Sequence, residues 1–116
     1  MTTDGVAFKI IAAEEWAGIE AARAYEGSDV DRADGYIHLS TEAQFVETAA
    51  KHYAGRADLM SLTVDLTVLG ETLVWEPSRG GQLFPHIYGP LTIEAVTARR
   101  LFSVDADGAI LDGGAA

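Results

Sequence analysis

Two histidines, His38 and His86, lie in short stretches that alternate polar and apolar residues. In Tyr36-Ile37-His38-Leu39-Ser40 a strand's period of two puts Tyr36, His38 and Ser40 on one face and Ile37 and Leu39 on the other. In Phe84-Pro85-His86-Ile87-Tyr88 the same parity groups Phe84, His86 and Tyr88, while Ile87 turns to the core. An imidazole donates and accepts near neutral pH, so two of them on polar strand faces suit orienting a ligand or moving a proton. The spacing predicts that both line one cleft. Each alone also fits a hydrogen-bonded structural role.

Around the second stretch, Pro77 to Pro90 holds all three prolines and no acid in a chain of net charge −10. Its Gly80-Gly81 pair permits close backbone approach to a ligand, and the neighbouring Ser78 and Arg79 suit a phosphate or carboxylate, the guanidinium in bidentate fashion. An ordinary long turn is the alternative. Glu76 is the acid nearest this stretch, either an acid or base in the cleft or a solvated strand end. The expected catalytic set is therefore His38, His86 and Glu76, and the expected ligand-binding set is Tyr36, Ser40, Ser78, Arg79 and Tyr88. His52 lies beside the apolar stripe of a helix and reads as structural.

Other chemistries lack their residues. There is no cysteine, so thiolate metal sites, disulfides and a cysteine nucleophile are excluded. No close histidine pair or His-Glu-x-x-His pattern is present, so no metal site is expected, and Asp105-Ala106-Asp107-Gly108 reads as a turn, not a calcium loop. Glycine patterns of serine hydrolases, phosphate-binding loops and dinucleotide folds are absent.

The elements that must position these residues follow from periodicity. Val6, Phe8 and Ile10 alternate into a first strand, and Glu14 to Ala24 suits a short helix anchored by Trp16. Glu26 to Gly35 reads as a turn and exposed polar loop. Thr41-Glu42-Ala43-Gln44 carries the capping-box pattern, starting a helix with an apolar stripe of Phe45, Val46, Ala49 and Tyr53 and a stop at Gly55. Leu59 to Thr67 alternates most clearly, Thr72 to Glu76 gives a further strand, and Val96 to Phe102 a last long one. Strands and helices mix without regular βαβ alternation, which predicts an α+β fold: a small split, mixed or antiparallel sheet with two helices.

At 116 residues, 48% apolar and 22% charged, the chain suits one globular domain over 1–116, with a core from about 6 to 104 and a frayed tail from 112. The acidity disfavours nucleic acid and anionic membrane surfaces. No stretch is apolar enough to span a membrane, and no signal peptide is visible. The expected location is cytoplasmic and the expected partner a small molecule, a protein partner being left unassigned.

Asp34-Gly35-Tyr36-Ile37-His38-Leu39-Ser40-Thr41, Trp75-Glu76-Pro77 and Phe84-Pro85-His86-Ile87-Tyr88-Gly89 together resemble the signature of the domain-of-unknown-function 952 family of small bacterial proteins, from about Phe8 to Phe102. The resemblance implies similarity to the ADP-ribosyltransferase fold, a split sheet in which NAD lies between two halves. Under it, His38 would bond a ribose or pyrophosphate, Tyr88 or Tyr36 would stack on a planar ring, Arg79 would neutralise phosphate, and Glu76 would stabilise positive charge on the ribose. The chain departs from the transferase pattern in lacking a histidine at Phe8-Lys9-Ile10 and a Gln/Glu-x-Glu motif. Two functions stay open. One is a non-catalytic module binding a nucleotide or another phosphate- or carboxylate-bearing molecule; the other is an ADP-ribosyltransferase-like enzyme acting on NAD or a phosphorylated nucleotide. The binding module is the leading reading and the enzyme the alternative. A carboxylate facing the cleft, with Glu76 pointing into it within hydrogen-bond reach of either histidine or of bound ligand, would turn the reading to the enzyme, whereas the binder needs only the histidine, arginine and aromatic groups.

Overall fold

Alternation builds the longest strands, and the computed structural model describes residues 5–77 and 81–112. In chain order the elements are β1 (Val6–Ala12), α1 (Trp16–Ala22), β2 (Ala24–Tyr25), α2 (Asp29–Asp34), β3 (Ile37–His38), α3 (Glu42–Tyr53), β4 (Leu59–Asp65), β5 (Leu73–Pro77), β6 (Leu83–Ile87), β7 (Leu91–Thr92), β8 (Val96–Val104) and β9 (Ile110–Asp112). The fold is α+β, and each strand pairing described is antiparallel. Among the described residues no helix is long and apolar enough to cross a membrane.

A four-stranded sheet runs in the order β1-β4-β8-β9. On one side Ala7, Ile11, Met60, Leu62 and Val64 join Ile19 of α1 and Ile37, Leu39 and Ile87 in the larger core. On the other, Ile10, Leu59 and Phe102 pack with Ala49, Phe45 and Tyr53 of α3. A second sheet, β3-β6-β5, carries the two histidine stretches, and β2 pairs with β7 separately. The larger sheets meet at one bridge, where Phe8 N–H donates to the Ser40 carbonyl at 2.7 Å and Ser40 N–H to the Phe8 carbonyl at 2.9 Å.

Several expectations need correction. Among the described residues three α-helices are present instead of two, because the stretch to Gly35 is not a loop: α2 spans Asp29–Asp34. Val46 is exposed and Gln44 buried, so the inward face of α3 is rotated from the expected stripe; the Gln44 amide donates to the Leu83 carbonyl at 2.8 Å. The fourth strand stops at Asp65, whose carboxylate accepts from Thr67 N–H and turns the chain. A further strand, β9, pairs with β8 beyond the expected core limit. Ser78, Arg79 and Gly80 lie outside the described residues, as does the expected tail beyond Asp112.

Candidate functional site

Ser28 and Asp31 build the first half of the site by capping each other. Asp31 N–H donates to Ser28 Oγ at 3.1 Å, and Ser28 N–H donates to Asp31 Oδ2 at 2.9 Å. Gly27, at φ +105°, passes so close that a Cβ there would sit 2.8 Å from that of Asp31. Asp31 is thereby buried and meets Lys9, also buried, with Nζ 2.8 Å from Oδ2. Its other oxygen accepts from His38 N–H at 3.2 Å and lies 2.6 Å from His38 Nδ1. Burial opposes ionisation of Asp31, but the His38 hydrogen bond, the Lys9 charge and the Ser28 N–H outweigh it and hold the carboxyl well below its ordinary value. For Lys9 burial is the larger influence and lowers its pKa, against the pull of Asp31. His38 Nε2 faces a second carboxylate, Asp34 Oδ2, at 3.0 Å.

The second half comes from the β5–β6 hairpin. Register pairs His38 with His86 across β3 and β6, and the two rings sit edge to face with centroids 5.4 Å apart. Glu76, two residues beyond the direct partner of His86 on β5, reaches it diagonally: Oε1 lies 2.6 Å from His86 Nδ1. The Tyr88 hydroxyl donates to both Glu76 oxygens, at 2.8 and 3.1 Å. These bonds, first from His86 and then from Tyr88, hold the Glu76 carboxyl below its ordinary range, while the bond to Glu76 pushes the Tyr88 phenol up. An ionised carboxylate only accepts, so His86 carries a proton on Nδ1 and its Nε2 is the accepting nitrogen of the neutral ring. Tyr36 stacks on His86 at 4.1 Å and 23° and also contacts the rings of His38 and Tyr88.

Both imidazoles line a cavity of about 810 Å³, within the usual range for small-molecule sites. Lys9, Ser40, His52 and Arg56 line it too, so all three histidines of the chain face one space. Ser40 Oγ donates to Thr48 Oγ1 at 2.9 Å, joining the strand wall to α3. Glu76, Tyr36 and Tyr88 are not in the lining; they support His86, and Tyr36 borders a separate hollow of about 280 Å³. Of the expected site residues, His38, His86, Glu76, Tyr36 and Tyr88 form one contact network, Ser40 stands in the cavity wall, and Ser78 and Arg79 fall outside the described residues. Among the described residues no group of three or more acids and histidines is arranged to hold a metal ion.

The family model of proteins of unknown function designated DUF952 matches residues 10–99. The chain belongs to this family. The crystal structure of protein CC0527 from Caulobacter crescentus is similar to this DUF952 chain, with a TM-score of 0.85 and 48% identity, covering 90% of this chain and 92% of that one. Its solution NMR structure is similar with a TM-score of 0.78 and 48% identity, covering 90% of each chain. No curated protein matches the chain.

The charged residues of the cavity lining in this DUF952 chain, Lys9, Asp29, Asp31, Asp34 and Arg56, were missed by sequence reasoning, and His52 was assigned a structural role. For Asp31 a signal existed, since a serine three residues before an acid is a capping pattern. Lys9 gave none, because a lysine on an alternating strand ordinarily marks its solvent face; here it shares a face with Ala7 and Ile11 and is buried against Asp31.

Proposed function

We propose that this DUF952 chain is an enzyme of ADP-ribosyl-transfer type, holding NAD or another phosphorylated nucleotide in the 810 Å³ cavity. The observation that carries the reading is Glu76 Oε1 at 2.6 Å from His86 Nδ1. A carboxylate there fixes the tautomer in which Nε2 accepts a proton, the arrangement a general base requires. In the reaction, an attacking hydroxyl or water loses its proton to His86 Nε2 as its oxygen bonds the ribose carbon and the bond to nicotinamide breaks, its electron pair leaving with the nicotinamide ring. Positive charge builds on the ribose in between, and the acids Asp31 and Asp34 in the cavity lining favour it. Further support comes from the two antiparallel sheets joined at Phe8 and Ser40, which suit the split-sheet geometry the motifs imply.

A second reading, a binding module without turnover, draws on His38, both of whose ring nitrogens already meet carboxylates. One experiment divides the two. The purified chain is incubated with NAD and nicotinamide release is followed by chromatography. Slow release is expected, and Glu76→Gln should lower kcat by roughly 100-fold or more while leaving the NAD dissociation constant within about 2-fold. Saturable NAD binding with no release by the wild type selects the binding module.

A further inference from the structure

Arg56 is, among the described residues, the cavity's uncommitted cation. Among the described residues the lining holds one lysine and one arginine, Lys9 and Arg56. Lys9 is matched by Asp31 at 2.8 Å. Among the described residues Arg56 has no carboxylate partner within ion-pair distance; its guanidinium lies over the Tyr53 ring at 5.4 Å. Its backbone is pinned on both sides, N–H to the Tyr53 carbonyl at 2.9 Å and carbonyl to Val104 N–H at 2.8 Å. Gly55, at φ +82°, makes the sharp exit from α3 that sets this position, with its own N–H bonded to the Asp105 carbonyl. A guanidinium stacked on a ring keeps its N–H edges outward, the geometry that meets a phosphate in bidentate fashion.

We propose that Arg56, with His52 one turn back on the same wall, forms an anion subsite that takes a phosphate of the substrate, while the reacting end lies at His38 and His86. The proposal rests on the reading of the cavity as a substrate site. A chain of net charge −10 repels a phosphorylated molecule as a whole, so entry requires a local cation, and Arg56 supplies it. The carbonyls at the end of α3 oppose an anion nearby, but that effect is smaller than a charge-assisted hydrogen bond and fades beyond the last turn. At about 810 Å³ the cavity exceeds what a lone phosphate fills and admits a nucleotide-sized molecule reaching from α3 to the strand wall.

The test is calorimetry on the full chain with ADP-ribose and adenosine as probes, beside the kinetics of nicotinamide release. ADP-ribose should bind the wild type at least ~10-fold more tightly than adenosine, and Arg56→Gln should weaken ADP-ribose by about 10-fold to 100-fold without changing adenosine. Arg23→Gln is the control, since Arg23 is exposed and paired with Glu94 away from the cavity; it should leave ADP-ribose affinity unchanged. Arg56-dependent binding without turnover leaves the subsite standing and removes the enzyme reading. Turnover with ADP-ribose affinity equal in wild type and Arg56→Gln, or no ADP-ribose binding by the wild type, overturns the subsite.

Discussion

The Asp31–His38 and Glu76–His86 pairs have the same contact, 2.6 Å between a carboxylate oxygen and Nδ1, and the opposite burial. In the first the carboxylate is 2% exposed and the imidazole 33%; in the second the imidazole is 2% exposed and the carboxylate 35%. A buried carboxylate needs compensation from within the protein, and Asp31 has it from Lys9, Ser28 and His38. Glu76 keeps contact with water and needs only His86 and Tyr88. The difference assigns the two pairs separate work: Asp31 ties β1, α2 and β3 together, whereas Glu76 sets the state of a ring and carries little of the fold.

Asp31→Ala should break the comparison hardest, since it strands Lys9 as an unpaired buried charge and removes an end cap. A loss of about 3 to 5 kcal/mol is expected in urea unfolding. Replacing both partners, Lys9→Met with Asp31→Leu, should recover much of that loss. A single variant no less stable than the wild type would mean the buried ion pair does not hold these elements.

Acid titration sharpens the same contrast. The folded-state pKa of Asp31 lies below its ordinary 3.8, so its contribution to stability is complete above the unfolded-state value and is lost as pH falls through that value toward the folded one. The urea midpoint should therefore hold from pH 7 to about 5 and drop below about 4, and Asp31→Asn should flatten the drop. The flattening should be partial, because Asp65 and Glu76 are lowered as well.

Ser28→Ala removes the hydroxyl that caps α2 but leaves the Asp31 ion pair, and should cost about 1 kcal/mol by thermal melting. Glu76→Gln should have the smallest structural effect, leaving the urea midpoint where it is even as nicotinamide release collapses. A midpoint that falls as far as that of Asp31→Ala would erase the distinction between the pairs.

Alternation and capping chemistry made much of this molecule legible. Leu59 to Asp65 and Tyr36 to Ser40 show their faces in sequence because a strand's period is two, and Thr41 with Gln44 marks the start of α3 through reciprocal hydrogen bonds. What stayed hidden depends on partners distant in the chain. In α2 the one large apolar residue, Val30, is exposed, while an aspartate turns inward; no periodicity announces a six-residue helix stabilised by a lysine from β1. Likewise the inward phase of α3 is set by Gln44 reaching the Leu83 carbonyl, which hydrophobicity alone points away from.

The paired backbone bonds between Phe8 and Ser40 make a clock for the opening of the cleft. Any separation of the two larger sheets there has to break both, exposing two amide protons together. Their deuterium uptake, followed residue by residue, then times how often the walls part, and a molecule that fills the cavity and bridges them would slow both amides in step while leaving those at the β8–β9 turn at their own pace.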